Sequence, residues 1–312
     1  MPFELSQLNA HQIDTLPKLK TVFFFPVGPL EDHGPHLPVG LDLQEAELLC
    51  HLSAERLESE MPGWVGVIMP RLALGVESNT TRMALTVRSY ILRDCLVDLC
   101  KGLVDLGFVH FACFSGHLGP KQLTAIEDAG VFLRRQNRWN RMKSRVVFTR
   151  STPKPTLISV SSALVGIKDF KSAPLWPDPL EHGGKRDTSV ALLVSKNLVD
   201  SSYLALPTLH RNPSLWVRFW SRKTKKISSY WGTPSQALPA DGEKEILTSL
   251  DRVFPKMRVI WEQEGSPKFL FKSWYSILPP NKTLFKIYLL TLLIFIFGMA
   301  WIYLQTLQLE IT

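Results

Sequence analysis

Apolar positions along this chain fall into two rhythms. Short continuous runs appear at Val22–Phe25, Val65–Met69, Val109–Phe114 and Val146–Thr149, the lengths and compositions of strands. Between and after them, apolar residues recur at helical spacing over Gln44–Leu57, Ile91–Leu106, Gln122–Arg135 and Glu243–Trp261. Strand-like and helix-like runs in alternation predict an α/β domain. No internal repeat and no low-complexity tract interrupts it.

The end of the chain follows neither rhythm. From Ile287 to Leu304 eighteen residues carry no charge, and Leu284-Phe285 with Lys286 extends the run at its entrance. A bilayer core needs about 20 apolar residues at roughly 1.5 Å rise each. The run has no polar stripe, and Tyr288, Trp301 and Tyr303 lie near its ends, where aromatic rings favour the interface. We therefore expect a transmembrane helix over 284–304, preceded by a basic juxtamembrane linker over 265–283 and followed by a short tail over 305–312. Residues 265–286 carry Lys268, Lys272, Lys282 and Lys286 and no acidic residue, and the tail carries only Glu310 as a charged side chain. The positive-inside tendency then predicts a single-pass protein of the cell membrane with residues 1–264 on the cytoplasmic side. Met1 to Lys20 lacks the uninterrupted apolar core of a signal peptide.

Composition is compatible with one sizeable core, since 45% of the 312 residues are hydrophobic. Cys50, Cys95, Cys100 and Cys113 form no ligand pattern and fit buried thiols in a reducing compartment. The net charge of +8 is concentrated in the juxtamembrane lysines and in His210–Lys226. That second stretch sets Arg211, Arg218, Arg222, Lys223, Lys225 and Lys226 among Trp216, Phe219 and Trp220. It reads as an exposed loop over the active site or an oligomer contact, or as a surface for anionic headgroups. Nucleic acid is the least favoured partner.

The candidate chemistry lies in three polar stretches. Glu31-Asp32-His33-Gly34-Pro35-His36-Leu37-Pro38, followed by Asp42, closes the first apolar run. Residues two apart in extended backbone project to one side, so Glu31 and His33 converge while Asp32 faces away. Asp42 can return to the same place from the far end of the loop. Such a donor set suits zinc, manganese or iron(II) better than calcium or magnesium. His117, in Ser115-Gly116-His117-Leu118-Gly119-Pro120, follows the Val109–Phe114 run and reaches the same rim, where open α/β sheets bind ligands. The third stretch, Glu181-His182-Gly183-Gly184-Lys185-Arg186-Asp187-Thr188-Ser189, opens onto a helical pattern. Asp187 is either a helix cap or a metal ligand, and His182 is the candidate general acid/base. Ser78, in the polar loop Gly75–Asn79 that follows the second strand-like run, is the candidate substrate contact.

These three stretches resemble the signature motifs of the creatininase (creatinine amidohydrolase) family, and Trp231-Gly232-Thr233-Pro234-Ser235 resembles the segment ahead of that family's last helix. The similarity spans roughly residues 18 to 262. It implies a single α/β domain with a mostly parallel sheet flanked by helices, a metal centre that is often dinuclear, and hydrolysis of cyclic amides or related carbon–nitrogen bonds. It also implies a homo-oligomer, often a hexamer. Position by position, Glu31, His33, Asp42 and His117 match metal ligands, with Asp42 as the bridge, and His182 matches a residue that moves protons, with Glu181 beside it as the second catalytic candidate. Leu118 stands next to His117 as a substrate-side position. The chain departs from the pattern at Ser115, Gly119, Pro120, Gly183 and Asp187; a Glu ligand of creatininase is replaced by Gly119, so that a second metal would need Asp187 or a water. The expectation is a membrane-anchored amidohydrolase using one or two zinc or manganese ions, iron being the other candidate, on a cyclic amide, formamide or related small molecule. The alternative is a catalytically inactive scaffold of the same fold at the membrane.

Overall fold

The computed structural model describes residues 2–77, 83–140, 155–164, 181–210, 229–263 and 289–301. Its central sheet has five parallel strands: β1 (Phe3–Glu4), β2 (Thr21–Val27), β4 (Val65–Ile68), β6 (His110–Ser115) and β7 (Thr156–Ser159), in the order β1-β4-β2-β6-β7. β3 (Leu30–Glu31) and β5 (Ala84–Leu85) form a small antiparallel ribbon above it.

Every residue of β2 is buried, as the unbroken apolar run requires of a strand covered on both faces. Side chains alternate across the sheet. Val22 and Phe24 enter one core with Leu49, Leu57, Phe114, Ile246, Phe254 and Trp261. Phe23, Phe25 and Val27 enter the other with Leu92, Leu96, Phe111, Ile126 and Leu133. Helices α2 (Leu41–Glu60), α6 (Lys185–Val194) and α7 (Pro239–Gln263) cover the first face, and α3 (Ser89–Asp105) with α4 (Pro120–Asn140) the second. Two short helices complete the set, α1 (Ala10–Thr15) and α5 (Val160–Leu164).

The chain leaves β2 for β4 on one side and then crosses to β6 on the other. The loops after β2 and β6 therefore part at their carboxyl ends and open a crevice between them, the usual ligand position in such sheets.

The four helices expected between Gln44 and Trp261 occur and are longer than their periodic cores. The difference matters at α2, which starts at Leu41 and not at Gln44, so Asp42 sits in its first turn. The expected strand Val146–Thr149 lies outside the described residues, and β7 supplies the neighbour of β6.

Contacts divide the chain into two compact units, Met1–Ser273 and Trp274–Thr312. In the second, residues 289–301 are helical and every one is exposed. Among the described residues no helix is long and apolar enough to cross a membrane. The expected span 284–304 runs beyond the described residues at both ends, and the basic stretch after His210 lies outside them up to Lys226.

Candidate metal centre

Glu31 reaches the crevice on β3, which is pinned to β5 and whose Glu31 N–H donates to Val39 O at 3.0 Å. The next turn is built by Asp32, whose Oδ1 accepts the Gly34 N–H at 2.9 Å, while Gly34 has φ +104°, a conformation that favours glycine. Asp32 is thus turned away from Glu31 and His33. Asp42 arrives from the first turn of α2. His117 arrives from the loop after β6, which lies so close to α2 that a side chain on Gly116 would meet Asp42 Cα at 2.8 Å.

These four residues close on one another. His33 Nδ1 donates to Glu31 O at 3.0 Å, which leaves Nε2 facing Asp42 Oδ1 at 3.3 Å and Glu31 Oε1 at 3.9 Å. His117 Nδ1 lies 2.9 Å from Glu31 Oε1 and 3.4 Å from Asp42 Oδ2. Glu31 is fully buried, and His33, Asp42 and His117 are 2%, 5% and 4% exposed. Ligand atoms of Glu31, Asp42 and His117 fall within 4.8 Å of one another, and so do those of Glu31, His33 and His182.

The unpartnered oxygens of this cluster fit a cation. Burial alone would push both imidazoles down, yet Asp42, with Glu31 beside it, holds His33 and His117 at about 10. Burial likewise would raise Asp42, but the two imidazoles keep it well below the usual carboxylate range. Even so, both Glu31 oxygens, Asp42 Oδ2 and His117 Nε2 are buried without a hydrogen-bond partner. The 2.9 Å approach of His117 to Glu31 is therefore a charge contact without hydrogen-bond geometry. Buried carboxylate oxygens without donors are costly. A divalent cation would satisfy them and leave the imidazoles neutral with lone pairs inward. Carboxylate and imidazole donors together fit zinc or manganese.

His182 stacks on His33, ring centroids 4.2 Å apart, and lies 4.9 Å from Trp231. Its Nε2 donates to Asp32 O at 2.9 Å, and burial followed by the charge of His33 lowers its pKa. It is thus a neutral imidazole with its lone pair on Nδ1. The Trp231 segment is tied to it directly, by backbone hydrogen bonds in both directions of 3.0 and 2.8 Å. Gly183, at φ +61°, lets this turn press on the His33 carbonyl.

The carboxylates on either side of His182 are held in its turn. Glu181 accepts the Arg186 N–H at the start of α6, and burial raises its pKa to about 7. Asp187 accepts the Gly183 N–H at 2.7 Å, pairs with Arg186 at 3.1 Å, and joins neither ligand group. Its carboxylate fastens the turn ahead of α6, whose first-turn cap is Gly184 without a side-chain hydrogen bond. Leu118 is half-buried beside His117, and Ser78 lies outside the described residues.

Sequence reasoning assigned no role to Arg186, Glu45 or His36. Arg186 binds the buried Glu45 of α2 and so joins the Asp42 helix to the His182 turn. Glu45 is three residues after Asp42, on the same helix face, a spacing that was visible in advance. His36 Nε2 bonds Thr188 Oγ1 at 2.8 Å and ties the first motif to α6.

Comparison with known proteins agrees with this architecture. No curated protein sequence matches the chain directly. Among solved structures, a Glu-to-Gln variant of creatininase of Zn–Zn type is 18% identical, with a TM-score of 0.63 over 84% of this chain and 99% of its own. A manganese form of creatininase is 18% identical, with a TM-score of 0.60 over 84% of this chain and 100% of its own. A putative creatinine amidohydrolase from Bacteroides fragilis is 18% identical, with a TM-score of 0.59 over 83% of this chain and 96% of its own. At these identities the likeness establishes the fold. The profile "Creatininase: Creatinine amidohydrolase" matches residues 6–254. The chain belongs to the creatininase family, whose members are metal-dependent amidohydrolases acting on carbon–nitrogen bonds.

Proposed function

We propose that this chain hydrolyses a carbon–nitrogen bond of a cyclic amide, formamide or related small molecule, with one or two zinc or manganese ions held by Glu31, His33, Asp42 and His117. The observation that carries the reading is the pair of buried carboxylates, Glu31 and Asp42, clasped between two imidazoles with oxygens that no donor satisfies. The Zn–Zn and manganese forms among the structural neighbours support the choice of metals. When bound, such an ion supplies Lewis acidity and brings the pKa of a water towards about 7. Asp42 faces both His33 and His117 and is the residue suited to a bridge. His182 is poised to take a proton on Nδ1 and deliver it to the leaving nitrogen, while Asp32 O holds its Nε2 proton. Glu181 and Asp187 act from behind, fixing the turn that carries His182.

The second unit supports a membrane setting for this chemistry. Its described helix exposes Leu290, Ile294, Phe295 and Phe297 at 59%, 63%, 66% and 70%, apolar side chains that water does not favour. A span over 284–304 with the hydrolase on the cytoplasmic side accounts for them, and a homo-oligomer remains part of the proposal. Resistance of the full chain to alkaline extraction from membranes tests the span.

The test of function is turnover by the full-length protein across a panel of cyclic amides, formamides and amidines, before and after chelation and after reloading with zinc or manganese. Activity should vanish on chelation, return on reloading, and be absent in His117→Ala together with the metal. Metal-loaded protein that hydrolyses nothing in the panel would favour the scaffold reading. A His117→Ala protein with full metal and normal turnover would sink the ligand assignment.

A further inference from the structure

β6 ends on Ser115, two residues before His117, and its two neighbouring strands meet that end differently. On one side β2 stays in register to the last pair, Val27 with Ser115. On the other, pairing with β7 stops at Cys113 and Ser159, because the chain turns into α5 at Val160 and offers no further extended backbone. Ser115 is buried, so a main-chain N–H and C=O left without partners there would be costly.

A side chain fills the gap. Ser161, the second residue of α5 and fully buried, accepts the Ser115 N–H on its Oγ at 2.8 Å and donates the same hydroxyl to Ser115 O at 2.9 Å. A serine hydroxyl is donor and acceptor at once, so this one group does what the backbone of a further strand residue would do. The loop is then fixed at its next two residues. Gly116 lies against the Asp42 backbone. The Ser115 hydroxyl donates to His117 O at 2.9 Å, a local turn that sets the backbone carrying the ring. From that backbone His117 Nδ1 reaches Glu31 Oε1 and Asp42 Oδ2.

We propose that Ser161 and Ser115 together position His117 for the metal. The Ser161 hydroxyl fastens Ser115, and the Ser115 hydroxyl fastens His117, so Nδ1 is presented to Glu31 and Asp42 before an ion arrives. Both serines are positioning residues, and the assignment rests on the proposed reading of Glu31, Asp42 and His117 as ligands. Affinity for a metal depends on holding the donors in place ahead of binding, and groups that orient a ligand change it by about 10–100-fold when removed.

The experiment is zinc affinity of the full-length protein, measured in competition with a chromophoric chelator well below the melting point of each metal-free variant. The visible absorption of the cobalt(II) form is the second readout, because it follows the arrangement of the ligands. Ser161→Ala should lose affinity by about tenfold or more and alter the cobalt(II) spectrum. Ser115→Ala should do the same, and Ser115→Thr, which keeps a hydroxyl, should recover most of the loss. Ser162→Ala is the control: it removes a buried hydroxyl of the same short helix, one that pairs with Ser159 Oγ at 2.7 Å. It should lower the melting temperature and leave affinity and spectrum unaltered. A folded Ser161→Ala or Ser115→Ala protein with the affinity and spectrum of the unaltered chain overturns the proposal and confines the serines to stability. Equal losses in Ser162→Ala overturn it as well. Should Ser161→Ala fail to fold, the two Ser115 variants carry the test. An unaltered chain that takes up no zinc would instead overturn the ligand assignment, and this inference with it.

Discussion

Replacing Gly116 with alanine tests how tightly the centre is tied to the fold. The new Cβ would lie 2.8 Å from Asp42 Cα and 2.9 Å from Asp42 C, and nearer again to Asp42 O. Comfortable carbon–carbon contact is about 3.5–4.0 Å, so the shortfall is about 1 Å. All three opposing atoms are backbone and cannot rotate away, so either the β6 loop lifts or the first turn of α2 shifts. Overpacking of this kind costs about 1–3 kcal/mol, and 2 kcal/mol lowers the melting temperature of a domain this size by roughly 4–8 °C. Because Asp42 faces both histidines, the same shift should weaken metal binding, roughly 30-fold if about 2 kcal/mol of strain is carried there. Gly102→Ala is the control: nothing lies within 4 Å of its Cβ, and it sits inside α3. That change should stabilise by about 0.4–1 kcal/mol. Circular-dichroism melts and zinc titrations of both variants decide the matter. Gly116→Ala with the melting point and zinc affinity of the unaltered chain would refute the close approach.

His110, buried beside Trp64 at the amino end of β6, is held neutral by burial, with its pKa lowered to about 4. The unfolded chain binds a proton near pH 6.5 that the fold refuses, so this contribution is complete above pH 6.5 and is lost as pH falls towards 4, about 3 kcal/mol in all. Urea unfolding of the unaltered chain and His110→Gln across that window should show the difference between them shrinking with acid; parallel profiles would contradict it. Arg186→Met leaves Glu45 and Asp187 buried without their cation and should cost about 3–5 kcal/mol in chemical denaturation, with part recovered on adding Glu45→Gln. No recovery in the double variant would mean that the pair is not the source of the loss.

The grouping of side chains at the candidate centre was largely legible from local spacing. Glu31 and His33 two apart, and His117 just past an apolar run, are patterns that backbone geometry converts directly into position. Asp42 was legible as a converging side chain but not as a helical one, because Gly40 rather than a polar cap starts α2. The partnership of Arg186 with Glu45 spans 141 residues and leaves no local trace. β7 escaped notice because four residues, Thr156–Ser159, carry too little pattern to separate a strand from the α5 helix that follows at once. Asp187 fastens the turn through Gly183 and pairs with Arg186, contacts that its place in the sequence did not announce.

Metal content of the full-length protein, purified in detergent without chelator and measured by plasma mass spectrometry, bears most directly on the central claim. The account predicts one or two equivalents of zinc or manganese per chain, lost in His117→Ala. A chain that carries no transition metal and takes none up when zinc, manganese and iron(II) are supplied would contradict it.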